Sequence, residues 1–405
     1  MKMIGIIPLL AISIFLFNDC EQIKSVRTLG SSEFTAKNFK TEIPFETRLG
    51  LIAIKVGLNG SKDDYDFVFD TGAGASMISK RVADSLKLEK KGEINVSDAL
   101  GHTTKNVVVA IKELDINGLK FYNWGAIVSD VGKYSPIKCV GKDGIIGVNI
   151  LADCNWVVNY DKKTLTATDS DLRFPANATV IPFSSYVPHV EMKVGQEVFK
   201  NVIVDLGSNE TITIPEKEVV NHHHINISNT VYRKIDGSSQ GLNGAREDTV
   251  QVYNSDSVMI SNKLYSHINI ITAKNLLLKI GANFWDKHVF GLDYKNHKIF
   301  LSDNIYNSSD QNFTKGFGFR VGIKDDKYVI NTLFSNSPAT DAGIKMGDEI
   351  VELNGKPIRE MFPNYCDGFF WQKDIMDKEE QVTLKTNRMN SAIVLKNEQY
   401  GRVKK

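Results

Sequence analysis

The chain has 405 residues, about two and a half times a usual domain length, so two or three domains with their own cores are expected and a single small module is excluded. Hydrophobic residues make up 42% and charged residues 24%, which describes a folded protein without collagen-like, coiled-coil or disordered bias. Lys plus Arg at 49 against Asp plus Glu at 48 leaves a net charge of +1 and no basic stripe, so nucleic acid is excluded as a partner.

At the N-terminus Lys2 precedes an apolar stretch from Ile4 to Phe17, the size of a signal-peptide core and short for a membrane span. Residues 1–20 therefore read as an export signal. Cys20, in Leu16-Phe17-Asn18-Asp19-Cys20, stands where bacterial lipoproteins carry the lipidated cysteine, and the match resembles a loose lipobox. The expectation is an envelope lipoprotein held to a membrane through Cys20, with plain secretion or an uncleaved anchor as the alternatives. Residues 21–44, polar and rich in Ser, Thr, Lys and Asn, read as a tether. Beyond Cys20 the cysteines are Cys139, Cys154 and Cys366. Three buried thiols, or a Cys139–Cys154 disulfide, are both open, and no Cys or His spacing suggests a metal.

The body of the chain repeats itself. Phe67-Val68-Phe69-Asp70-Thr71-Gly72-Ala73 is echoed by Val202-Ile203-Val204-Asp205-Leu206-Gly207-Ser208: a β-branched or aromatic strand runs into Asp-x-Gly each time. Gly147, in Ile145-Ile146-Gly147, follows Asp70 by 77 residues, and Gly281, in Lys279-Ile280-Gly281, follows Asp205 by 76. Tyr160 and Tyr294 each follow those glycines by 13 residues and open a turn. One β-rich unit of about 130 residues thus occurs twice, over 45–172 and 178–303. Short helices are expected only at Lys80 to Lys87 and Pro215 to Val220.

These doubled motifs resemble the aspartic peptidases of the retropepsin and pepsin type. The resemblance covers about 260 residues and implies a mainly β fold of two pseudo-symmetric acid-protease β-lobes, meeting where each contributes an Asp-Thr/Ser-Gly loop. It makes Asp70 and Asp205 the catalytic pair, with Thr71, Gly72, Gly207, Gly147 and Gly281 supporting their loops. Leu206 departs from the family pattern, which has Thr or Ser there. Two carboxylates ~3 Å apart cannot both ionise, so they share one proton; one activates water while the other polarises the scissile carbonyl. No metal and no cofactor is called for. The family closes its substrate under glycine-containing hairpins, which implies flaps at Gly101, in Asp98-Ala99-Leu100-Gly101-His102, and at Gly237, in Asp236-Gly237-Ser238. His222-His223-His224 reads as a solvated polar run, since adjacent histidines point apart and lack a spaced partner.

Farther on, Lys315-Gly316-Phe317-Gly318-Phe319, Ser337-Pro338-Ala339 and Gly347-Asp348-Glu349-Ile350 resemble a PDZ domain over 314–401, a small α+β, β-sandwich-like module. The resemblance implies that N–H groups of Gly316, Phe317, Gly318 and Phe319 receive a peptide or protein C-terminus, with the groove helix between Arg359 and Lys378. The whole reads as an exported aspartic endopeptidase with a PDZ domain. Two rivals stay open: a catalytically inactive peptide-binding envelope protein, which Leu206 keeps alive, and a homodimer using Asp70 from each copy.

Overall fold

The computed structural model describes residues 20–98, 101–129, 137–221, 230–241, 244–255, 257–302, 315–374 and 376–400. The protein is mainly β, and its strands fall into two related units, a sheet between them and a C-terminal module. In the first unit Tyr65–Phe69 is buried along its whole length, as its run of aromatic and β-branched residues requires. It lies parallel to Gly144–Ile146, with Phe69 opposite Ile146, and Met77–Ile78 runs antiparallel on the other side. The second unit repeats this: Glu197–Asp205 lies parallel to Lys279–Gly281, Asp205 facing Gly281, and Ile212–Pro215 runs antiparallel beside it. Each aspartate therefore ends a strand that a glycine-terminated strand flanks.

A six-stranded sheet joins the units. Its central strands, Asn155–Asn159 and Val289–Asp293, come one from each unit and pair antiparallel, Trp156 opposite Leu292 and Val158 opposite Phe290. The turns opened by Tyr160 and Tyr294 match in conformation, with Lys163 (φ 52°) and His297 (φ 53°) both left-handed. One continuous core spans both units and this sheet.

Three further helices of the two units are short, Ile137–Val140, Val148–Leu151 and Ala282–Trp285. Residues 21–44 are not a tether. Helix Cys20–Leu29 packs on the first unit, burying Leu29; Ser25 donates to the Glu93 carbonyl (3.1 Å), and Asn149 Nδ2 donates to the Leu29 carbonyl (3.1 Å). Lys40–Pro44 then forms the outer strand of the six-stranded sheet. The polar composition concealed helical spacing of the inward positions Gln22, Ser25, Val26 and Leu29.

The C-terminal module has its own core around Phe317, Phe319, Ile330, Ile350, Leu353 and Leu384. Strands Phe319–Lys324 and Lys327–Phe334 pair, and helix Tyr365–Asp374 lies along the former. Among the contacts that bind this module to the rest, beside a small apolar cluster of Val250, Val252, Ala273, Phe334 and Tyr400, are two specific links. Strand Thr230–Gly241 of the second unit pairs with Lys327–Phe334, Ile235 opposite Leu333, so one sheet of eleven strands runs through both. The second link corrects both open readings of the cysteines: Cys139 is bonded to Cys366 on the groove helix, and Cys154 is a free buried thiol. Sequence proximity favoured Cys139 with Cys154, but the fold points Cys154 into the first core while Cys139, itself buried, sits on the short helix Ile137–Val140 within bonding distance of Cys366.

Candidate active site

Asp70 and Asp205 stand at the ends of their buried strands and come together, the glycine of each loop lying against the carboxyl group of the other. Each is held by its own loop. Asp70 Oδ1 accepts from the N–H of Gly72 (2.8 Å) and of Ala73 (3.1 Å), and Asp205 Oδ1 accepts from the N–H of Gly207 (2.9 Å). The approach of the two loops needs glycine at 72 and 207. A Cβ on Gly72 would stand 2.6 Å from the Asp205 carboxyl carbon, and one on Gly207 would collide with the Asp70 carboxyl group. Gly147 and Gly281 lie against the same loops: the Gly147 N–H donates to Ser76 Oγ (3.0 Å), and the Gly281 N–H to the Thr211 carbonyl (2.9 Å).

Thr71 is fully buried and makes the cross-loop contact. Its hydroxyl donates to the Val204 carbonyl (2.7 Å) and accepts from the Leu206 N–H (3.1 Å). Leu206, also fully buried, packs into the common core instead of returning the bond. The linkage between the loops is therefore one-sided.

The electrostatics are unequal. Burial, and then the charge of Asp205, push the Asp70 carboxyl up to about 8, so it holds a proton where an ordinary aspartate would not. Asp205 has a counter-charge: Lys279 Nζ lies 3.2 Å from its Oδ2 and 3.7 Å from Glu210 Oε2. Burial alone would lower the Lys279 pKa, but Asp205 and Glu210 outweigh it and raise the pKa above the ordinary lysine value. Ser208 Oγ donates to the same Glu210 carboxylate. Tyr294, from the six-stranded sheet, keeps its hydroxyl proton because burial and the neighbouring Asp70 push its pKa up.

The hairpin Glu89–Ser97 with Thr103–Ile116 carries Gly101 in its turn (φ 79°), where the expected first flap lies. Gly237 is not at a hairpin tip. It sits mid-strand at a register irregularity, between Asp248 of its own hairpin and Thr332 of the C-terminal module, while the turn joins Gly241 to Gly244. His222 to His224 lie outside the described residues.

In the C-terminal module the carbonyl of Phe317 accepts from the Ala339 N–H (3.0 Å) and that of Gly318 from the Phe334 N–H (2.9 Å). With those carbonyls turned inward, the N–H groups of Gly318 and Phe319 point the other way. Gly318 has φ 82°, and a Cβ there would run into Ser337. Gly316 begins the loop at φ 146°, paired with Glu398. The pairing of Phe319 with Leu333 leaves the Phe319 N–H and carbonyl facing the free edge of the strand. On that edge the Val321 N–H is taken by the Gln372 side chain from the groove helix, and Arg320 Nη1 lies 3.4 Å from the Phe319 carbonyl.

Residues 54–150 match the aspartyl protease family, a span that takes in Asp70 and Gly147. Residues 309–365 match the PDZ domain. The chain thus carries an aspartyl protease match in its first unit and a PDZ match in its C-terminal module. It is also similar to the carboxy-terminal processing protease CtpB of Bacillus subtilis (strain 168), 44% identical over 51 residues, which is 13% of this chain. That match spans about a tenth of the relative's length. The aspartyl protease match ends before Asp205, so the second half of the site rests on its geometry.

Sequence reasoning missed Lys279, Glu210 and Gln372. Lys279 had a visible signal: strand pairing sets it equivalent to Ile145, and a lysine in place of a buried isoleucine needs a buried partner.

Proposed function

We propose that the protein is an aspartic endopeptidase that hydrolyses peptide bonds through a water activated between Asp70 and Asp205, both from one chain. The observation that carries this reading is the meeting of the two carboxyl groups, each seated on N–H groups of its own glycine loop and against the glycine of the other. Such a pair works with one proton between two acids. Water oxygen bonds to the scissile carbonyl carbon while its proton passes to the ionised aspartate, and the protonated aspartate gives its proton to the carbonyl oxygen. As the C–N bond breaks, the first aspartate returns its proton to the leaving nitrogen, and the second recovers one from the diol. The hairpin bearing Gly101 supplies a cover for an extended substrate, with the hairpin of Thr230–Gly241 opposite in sequence role.

The PDZ domain would take a peptide or protein C-terminus on the N–H groups of Gly318 and Phe319, adding the chain beside Phe319–Lys324. Cys20 would carry the lipid that holds the protein in the cell envelope, a reading supported by the preceding apolar stretch; Cys20→Ser should then release the protein from the membrane fraction and abolish incorporation of a labelled fatty acid.

Incubating the purified chain with an unbiased peptide library, with and without a transition-state-mimicking inhibitor, tests the central reading. Inhibitor-sensitive cleavage that Asp70→Asn abolishes is the expected result. One observation favours a second reading, a non-catalytic peptide-binding protein: the buried Leu206 leaves the second loop without its hydroxyl. Peptides retained without cleavage would establish it.

A further inference from the structure

Nothing in the pairing of two identical carboxyl groups decides which of them is the base. The protein around them is not symmetric, and the asymmetry lies at one position. Where the first unit places Ile145 beside its aspartate-bearing strand, the second places Lys279. Both side chains are buried, 2% and 8% exposed. The ammonium of Lys279 reaches Asp205 at 3.2 Å and is braced on its far side by Glu210 at 3.7 Å, a carboxylate that Ser208 holds in turn. Asp70 has no lysine or arginine in such contact among the described residues; it receives only N–H groups and the other aspartate.

We propose that Lys279 is a positioning residue of the aspartate pair, fixing Asp205 as the ionised base and leaving the shared proton on Asp70 as the acid. The inference rests on the peptidase reading but concerns the distribution of charge within the pair. The groups that face it are Asp70 and Asp205 on the two loops, Glu210 after the second loop, Lys279 on its strand and the neutral Tyr294 from the six-stranded sheet. Burial raises the affinity of Asp70 for its proton in the same sense.

The pair is active with one proton, and activity falls at low pH when a second proton enters on the ionised member. A cation beside that member opposes the entry, so Lys279 extends activity toward acid. In the full chain, Lys279→Met should move the acid limb of the kcat/KM profile up by one pH unit or more, which is tenfold or more at a pH on that limb, and Lys279→Arg should restore it. A melting curve establishes that each variant is folded, and Lys279→Gln carries the same expectation if the Met variant does not fold. An unmoved acid limb in a folded Met or Gln variant, or an Arg variant with the Met profile, overturns the proposal. A second readout needs no turnover. Asp70→Asn leaves one aspartate in the pair, and the pH at which its infrared carboxyl band vanishes should rise by one unit or more when Lys279→Met is added. No rise overturns the proposal, whereas absence of cleavage by the wild-type chain overturns only the peptidase reading.

Discussion

The Thr71 hydroxyl accepts from the Leu206 N–H and donates to the Val204 carbonyl, while Leu206 contributes to the same junction only a fully buried apolar side chain. One loop grips and the other is gripped. Thr71→Val, which keeps shape and removes the hydroxyl, would strand a buried N–H and a buried carbonyl at about 1 to 3 kcal/mol. It should therefore lower the melting temperature and the cleavage rate together, whereas surface threonines such as Thr104 should tolerate the same change.

Asp70→Asn should abolish cleavage, a loss of at least 10²- to 10⁴-fold, because it removes the shared proton and keeps size and polarity. It should also leave the fold intact and change the pH dependence of stability. The folded-state pKa of Asp70, at about 8, lies above the unfolded aspartate value, so the native state holds the extra proton between about pH 4 and 8. Stability contributed by that proton is present below the unfolded value and is lost as pH rises through the folded one. The wild-type melting temperature should fall across this window relative to that of Asp70→Asn, whose curve lacks this contribution; parallel curves would contradict the assigned protonation.

Cys139 and Cys366 close 227 residues of chain and tie the groove helix of the PDZ domain to the first unit. Removing such a link costs about 2 to 5 kcal/mol. Cys366→Ser and Cys139→Ser should lower the melting temperature equally, and the double variant no further, while Cys154→Ser should leave the linked 139–366 peptide intact in a non-reducing digest. A digest showing Cys139 joined to Cys154 would refute the arrangement.

The doubled Asp-x-Gly, the equal spacing to Gly147 and Gly281 and the paired Tyr turns were legible because β-strands report their burial in side-chain type. The long-range choices were not. Cys139 meets Cys366, and Lys327–Phe334 meets Thr230–Gly241, through packing between units that no local period encodes. Lys279 aligns in sequence with the apolar Ile145, but its partner is set only by the register that places it opposite Ile203 and beside Asp205. Helix Cys20–Leu29 was hidden for a related reason: Ser25 faces inward, its hydroxyl satisfied by the Glu93 carbonyl, which a hydrophobicity pattern scores as solvent.

Gln372 gives the last prediction. A chain terminus docking beside Phe319–Lys324 needs the edge N–H of Val321, and the Gln372 side chain already occupies it. Docking must exchange that internal bond for one to the ligand, so the internal bond competes with binding. Gln372→Ala leaves the Val321 N–H free to water and to ligand, and affinity for C-terminal peptides should rise several-fold, an exchange worth about 0.5 to 1.5 kcal/mol. Peptides amidated at the terminus should gain nothing if, as proposed, the N–H groups of Gly318 and Phe319 receive a carboxylate. Titration of both peptide forms against wild type and Gln372→Ala separates the two effects: a gain shared by amidated peptides would mean that the helix had merely loosened, and a loss of affinity would make Gln372 a direct ligand contact.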